Sequence, residues 1–234
     1  MIDLGTTNFY IGVPSMPRDE FENYSTRLFD DWEDYVEKTL LLSDYSLALE
    51  VEEGSVKGVG KIVAFMGALY VGIGAYGSFI SGVQTIRDQV SSVGDFLGER
   101  AGLPFGSIGV PPKIRKHGGS LAHLQRLFVK VQRGDLTPDQ AMYEAESYFG
   151  DDAATSPEFM KKLEESLVQT PRFHQQIQLP LETFESEGSL PSSEKGRLPR
   201  PSHPKPVVPP PLAFRVEVWR DSKKEQRKIR VIQL

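Results

Sequence analysis

The sequence predicts an α+β fold: a small mixed sheet built from an N-terminal β-α-β unit and a C-terminal β-hairpin, covered by a long glycine-rich apolar helix, with a unit of short helices inserted between. Three observations carry this prediction. Apolar residues alternate with polar ones near both ends of the chain, which is the period of a half-buried strand. Between those ends they recur at three- and four-residue steps, the period of one helix face. A stretch over residues 62–86 carries no charge at all.

The elements follow in order. Residues 9–13 read as a short strand closed by Pro14. Ser15, Pro17, Asp19 and Glu20 then mark a helix start, because a cap candidate, an early proline and first-turn acids suit the exposed N–H groups of a helix N-terminus. Phe21, Tyr24, Leu28, Trp32, Tyr35 and Val36 keep helical spacing, so the spacing predicts an amphipathic helix over about 17–41. Its other face holds Asp19, Glu22, Asp30, Glu33, Asp34 and Glu37, read as solvated, with a basic partner as the alternative. Leu47, Leu49 and Val51 alternate with Ala48, Glu50 and Glu52 and make the second strand. Gly54, Gly58 and Gly60 read as a flexible exit, and residues 62–100 as helical with a break among Gly72, Gly74 and Gly77.

Residues 103–112 read as a turn-rich loop. Ser120 opens a helix carrying Leu121, Leu124, Phe128 and Val131 and stopped by Gly134. Thr137, Pro138 and Gln140 form a capping box with proline at the first helical position, and Ser156, Pro157 and Glu158 open a further helix. Prolines then crowd the chain up to Pro211 and predict an extended connector. Phe214, Val216 and Val218, then Ile229 and Val231, alternate with polar residues around a polar turn, and predict a hairpin. A lone hairpin is marginal in water, so it is expected to dock on the N-terminal sheet. The expected divisions are 1–112, 113–170, the connector 171–212, and the hairpin 213–234.

Composition narrows the function less than the fold. The chain has 234 residues, a formal net charge of -5 and no cysteine. The whole-chain charge therefore does not favour nucleic acid, and thiolate chemistry and disulfides are excluded. The N-terminus lacks the pattern of a secretory signal, so a cytoplasmic or membrane-associated location is expected.

Several motifs only approach known chemistry. Residues 72–77, Gly-Ile-Gly-Ala-Tyr-Gly, fit a dinucleotide-binding spacing, but uncharged residues precede them where a strand should end and Asp88 falls early. Residues 54–61 approach a phosphate-binding loop, with one residue too many and Ile62 where a hydroxyl must reach magnesium. His117, His123, His174 and His203 share no metal-ligand spacing, and Glu52-Glu53 and Asp151-Asp152 are paired only in sequence. Pro206 and Pro209 have PxxP spacing, read chiefly as spacer. No cofactor, metal or small-molecule substrate is expected.

The opening residues Met1-Ile2-Asp3-Leu4-Gly5-Thr6-Thr7-Asn8-Phe9 resemble the first phosphate hairpin of the actin and Hsp70 ATPase family. The resemblance implies a turn at 3–8, between two strands, cradling phosphates. The family's second glycine-rich phosphate loop has no counterpart later in this chain.

Two surfaces are candidates for interaction. Ala64, Ala68 and Gly72, then Gly74, Ser78 and Gly82, recur at four-residue steps, which lets helices approach closely. Lys223, Lys224, Arg227, Lys228 and Arg230 form a basic ribbon around the last hairpin. The expected function is a non-enzymatic interaction protein, an accessory or sensing subunit of a multi-protein bacterial system, with a protein partner or a second copy. The alternatives are a membrane-active protein using residues 62–86, in toxin, immunity or anti-phage settings, and a nucleotide-binding enzyme using residues 3–8.

Overall fold

The computed structural model describes residues 1–108, 111–173 and 214–234. The proline-rich connector, with its PxxP spacing, and His174 and His203 lie outside the described residues. Strand β1 (Ile2–Ile11) leads into helix α1 (Arg18–Thr39), then strands β2 (Ser46–Glu52) and β3 (Val56–Ala64). Helices α2 (Met66–Gly74) and α3 (Phe79–Gly102) follow, then a 3-10 turn (Leu103–Ile108) and strand β4 (Lys113–His117). Helices α4 (Gly119–Arg133), α5 (Pro138–Phe149), α6 (Asp151–Thr155) and α7 (Pro157–Val168) precede the hairpin strands β5 (Phe214–Arg220) and β6 (Lys228–Gln233).

The six strands form one sheet in the order β4-β1-β3-β2-β5-β6, so the α+β class stands and both chain ends contribute to the sheet. Every neighbouring pair is antiparallel, where a mixed sheet was expected. The β-α-β strands β1 and β2 do run parallel, but β3 lies between them. In the same way β1 lies between β3 and β4. Two split β-α-β units therefore interleave, giving the β-α-β-β-α-β plan. The hairpin β5–β6 extends it beyond β2, pairing Leu49 with Val218 and Val51 with Val216.

Strand β3 replaces the expected flexible exit, and it also takes Ile62 and Ala64 out of the expected helix. Glycine in a strand normally costs packing. Here the missing side chains are filled from elsewhere: a Cβ on Gly58 would fall 2.0 Å from the Phe9 ring, and one on Gly60 would fall 2.2 Å from Leu97. Gly54, at φ 92°, makes the turn between β2 and β3. The rest of the apolar run is α2 and the start of α3, bent by 110° at a break over residues 75–78. No single described helix is long and apolar enough to cross a membrane.

Among the described residues one face of the sheet is covered and the other is not. Phe9, Ile11, Leu47, Leu49, Val51, Val56, Ile62, Val216 and Val218 point into the core. Above them α1 lays down Phe21, Leu28, Phe29, Trp32 and Val36, while α3 lays down Val83, Ile86, Val90, Val93 and Leu97. Tyr35 and Phe96 stack at 4.1 Å where α1 and α3 meet. Helices α4, α5 and α7 pack beyond α3 through an aromatic cluster of Phe79, Phe128, Phe149 and Phe159. The capping box forms as the sequence requires: Thr137 Oγ1 accepts from the Gln140 N–H, and Gln140 Oε1 accepts from the Thr137 N–H.

Candidate functional site

The uncovered face is built by register. Because side chains alternate along a strand, every second residue of each strand points to it. The pairings put these residues in three rows. His117, Thr6, Lys61, Ala48, Trp219 and Lys228 form the first. Arg115, Asn8, Val59, Glu50, Glu217 and Arg230 form the second. Lys113, Tyr10, Lys57, Glu52, Arg215 and Ile232 form the third.

The two halves of this face differ in charge. On β2, β5 and β6 the charges cancel: Arg215 donates to Glu52, and Arg230 sits 3.7 Å from Glu217 with its guanidinium over the Trp219 ring. On β4, β1 and β3 the nine positions hold Lys57, Lys61, Lys113, Arg115 and His117 and no acid. All five are exposed, and none is ion-paired among the described residues. Tyr10 and Val59 are exposed as well, at 38% and 37%, with Thr6 and Asn8 half-buried between them. The nearest acid of β1 is Asp3, one step beyond the first row, where it accepts from the Thr6 hydroxyl at 3.3 Å. A groove of 460 Å³ runs over the lower rows, floored by Asn8, Tyr10, Lys57 and Val59 and walled by Lys113 and Arg115 on one side and by Glu50 and Glu52 on the other.

The sequence-based candidates fall elsewhere. Of the small-residue set, Ala64, Gly72 and Gly82 are buried inside the chain, Ala68 is half-buried, and Gly74 and Ser78 are exposed. Gly72 lies against Leu42 and Ile86, and Gly82 against the backbone of Ile73, so these positions serve contacts within the chain. The basic ribbon is largely neutralised: Lys228 meets Asp221 at 2.6 Å, Arg230 meets Glu217, Arg227 meets Asp30, and Lys223 lies over the Tyr45 ring; Lys224 is exposed. Part of the acidic face of α1 is thus answered by basic residues of the same chain. Buried Arg220 reaches Glu33 and Glu37, Arg227 reaches Asp30, and Arg100 pairs with Asp31 at 2.8 Å. Burial pushes the Glu33 carboxyl upward, and Arg220 only partly pulls it back.

The motifs that approach nucleotide chemistry are corrected by the backbone. Residues 3–8 lie in the continuous strand β1, with a register shift between Asp3 and Gly5, so the turn implied by the phosphate-hairpin resemblance is absent. Residues 72–77 end α2 and enter a turn before another helix, and residues 54–61 form a hairpin turn and a strand. A larger cleft of 530 Å³ opens between α1 and the end of α3, lined by Tyr24, Arg27, Asp31 and Arg100. There Arg100 is held by Asp31, and the Tyr24 hydroxyl, its pKa raised by burial, donates to the Ala101 carbonyl at 2.9 Å. His123 stacks on Tyr148 at 4.0 Å, and burial, then Arg126, lowers its pKa. Among the described residues no three His, Asp or Glu are grouped as metal ligands.

No family model, no curated protein and no solved structure matches this chain. The functional reading therefore rests on the geometry of the chain alone.

Proposed function

We propose that this chain is a non-enzymatic binding protein whose working surface is the β4-β1-β3 half of the uncovered sheet face, and that its partner is anionic. One observation carries the reading. Nine adjacent outward positions bring together four lysines and arginines and a histidine from two separate strands, with no acid among them, in a chain whose net charge is -5. Like charges gathered on one face of a sheet repel one another across the neutral column between them. A folded chain that keeps them together, while pairing Arg215 and Arg230 with Glu52 and Glu217 on the other half of the same face, is arranged to receive negative charge. The accessory role expected from the sequence is kept in this form, with the surface moved from the apolar run to the sheet.

Retention on immobilised heparin tests this. The full chain is expected to bind at low salt and elute as salt rises. Lys57→Glu with Lys61→Glu, or Lys113→Glu with Arg115→Glu, is expected to abolish retention. Lys223→Glu with Lys224→Glu on the hairpin turn is expected to leave it unchanged. Absence of wild-type retention, or equal loss from the hairpin variant, would overturn the proposal.

A further inference from the structure

We infer that the anionic partner is a single-stranded nucleic acid, seated along β1 with its bases on the central column and its phosphates on the two basic columns beside it. The inference rests on the binding reading above and adds the chemistry of the ligand. The field is not a uniform cationic patch. Its centre is Thr6, Asn8 and Tyr10: a hydroxyl, a carboxamide that both donates and accepts, and an exposed aromatic ring. Cations flank this column on both sides, with Lys113 and Arg115 on β4, next to His117, and Lys57 and Lys61 on β3.

That layout separates the possible anions. A sulfated polysaccharide or an acidic peptide needs only the cations and has no use for a ring and an amide at the centre. A duplex presents phosphates on its outside and keeps its bases paired and stacked, so Tyr10 would have nothing to stack on. A single strand offers both groups at once, because its bases are free to stack on an aromatic ring while its backbone meets lysine and arginine. The acids Glu50 and Glu52 form the far wall of the groove and repel phosphate, which confines the strand to the β4-β1-β3 half. Three rungs of three strands measure about 14 Å by about 10 Å, enough for a short stretch of strand. Four Lys and Arg contacts with a single strand predict a slope of log K against log salt of about -3.

Fluorescence anisotropy of the full chain with a short labelled oligothymidylate and oligouridylate tests the assignment. A duplex of matched length, heparin and polyglutamate serve as competitors. Either single strand is expected to bind more tightly than the duplex or polyglutamate. Tyr10→Ala is expected to weaken the single strand about tenfold, as loss of one stacked base does, and Tyr10→Phe to restore it. Heparin binding is expected to be unchanged by either substitution, since Tyr10 carries no charge. Heparin binding without preferred single-strand binding would overturn the ligand assignment and leave the binding surface standing. Equal single-strand affinity in Tyr10→Ala would also overturn it. Loss of every polyanion would overturn the binding reading itself.

Discussion

Gly74 and Gly82 occupy equivalent places in the four-residue pattern of small residues, yet the fold uses them oppositely. A Cβ on Gly82 would fall 2.5 Å from the Ile73 carbonyl oxygen and 2.8 Å from the Ile73 Cα. Those are backbone atoms of α2, and they cannot yield without opening the joint between α2 and α3. A Cβ on Gly74 meets nothing within 4 Å. Gly82→Ala is therefore expected to lower stability by about 2 kcal/mol, as overpacking does. Gly74→Ala is expected to raise it by about 0.5 kcal/mol by restricting the unfolded chain. Urea unfolding of both variants checks the contrast, and equal effects would contradict the close approach at Ile73. The pattern itself was visible in the sequence; which glycine touches backbone was not, because that depends on the bend.

At the scale of the element, β3 shows why part of the candidate site was hidden. Val56, Gly58, Gly60 and Ile62 alternate with Lys57, Val59 and Lys61, so the strand period is present. Glycines at two inward positions read as a loop because nothing local says what fills them. Phe9 and Leu97 do, from β1 and α3. Strand β4 was hidden differently: only Ile114 in Lys113–His117 is apolar, and it packs over Gly98, too weak a signal for an edge strand. The C-terminal hairpin was legible in its alternation, and one carboxylate helps to fasten its turn. Asp44 accepts from the backbone N–H groups of Tyr45 and Lys223 and from the Ser222 hydroxyl, which ties the turn after β5 to the start of β2. Burial acts to raise the Asp44 pKa, but these hydrogen bonds outweigh it and hold the carboxyl below its ordinary value. An acid depressed in the folded state adds stability above its unfolded pKa of about 3.9, and loses it as pH falls through the folded value. Asp44→Asn is accordingly expected to lower stability by about 1 kcal/mol at neutral pH, the low end for charged hydrogen bonds open to water. The deficit should vanish in acid below the folded pKa. Urea midpoints across that range measure it, and a constant deficit would show that the charge is not what matters.

For the whole molecule, the antiparallel order decides what the surface can do. The hairpin completes the core side with buried Val216 and Val218 and brings buried Arg220 to Glu33 and Glu37 on α1. Removing residues 214–234 would strip β2 of its β5 partner, leaving it an open edge, and leave Glu33 and Glu37 facing each other without their cation. A chain so truncated is expected to lose cooperative thermal unfolding and to pellet, since an open edge with exposed apolar residues invites pairing between chains. Calorimetry and sedimentation check this; a soluble, cooperatively unfolding truncation would show that the remaining four strands suffice. The sequence by itself determined the α+β class, the long amphipathic helix, the short helices with the capping box of α5, and the terminal hairpin. Each of these is signalled by residues close together along the chain. Only the tertiary structure decided that β3 and β4 exist as strands, that Arg227, Lys228 and Arg230 of the hairpin are spent on acids, and that a second basic field forms from β3 and β4 around Tyr10. The physical reason is that antiparallel register sets residues about 4.8 Å apart across strands that lie tens of positions apart in sequence, and no local period records that pairing.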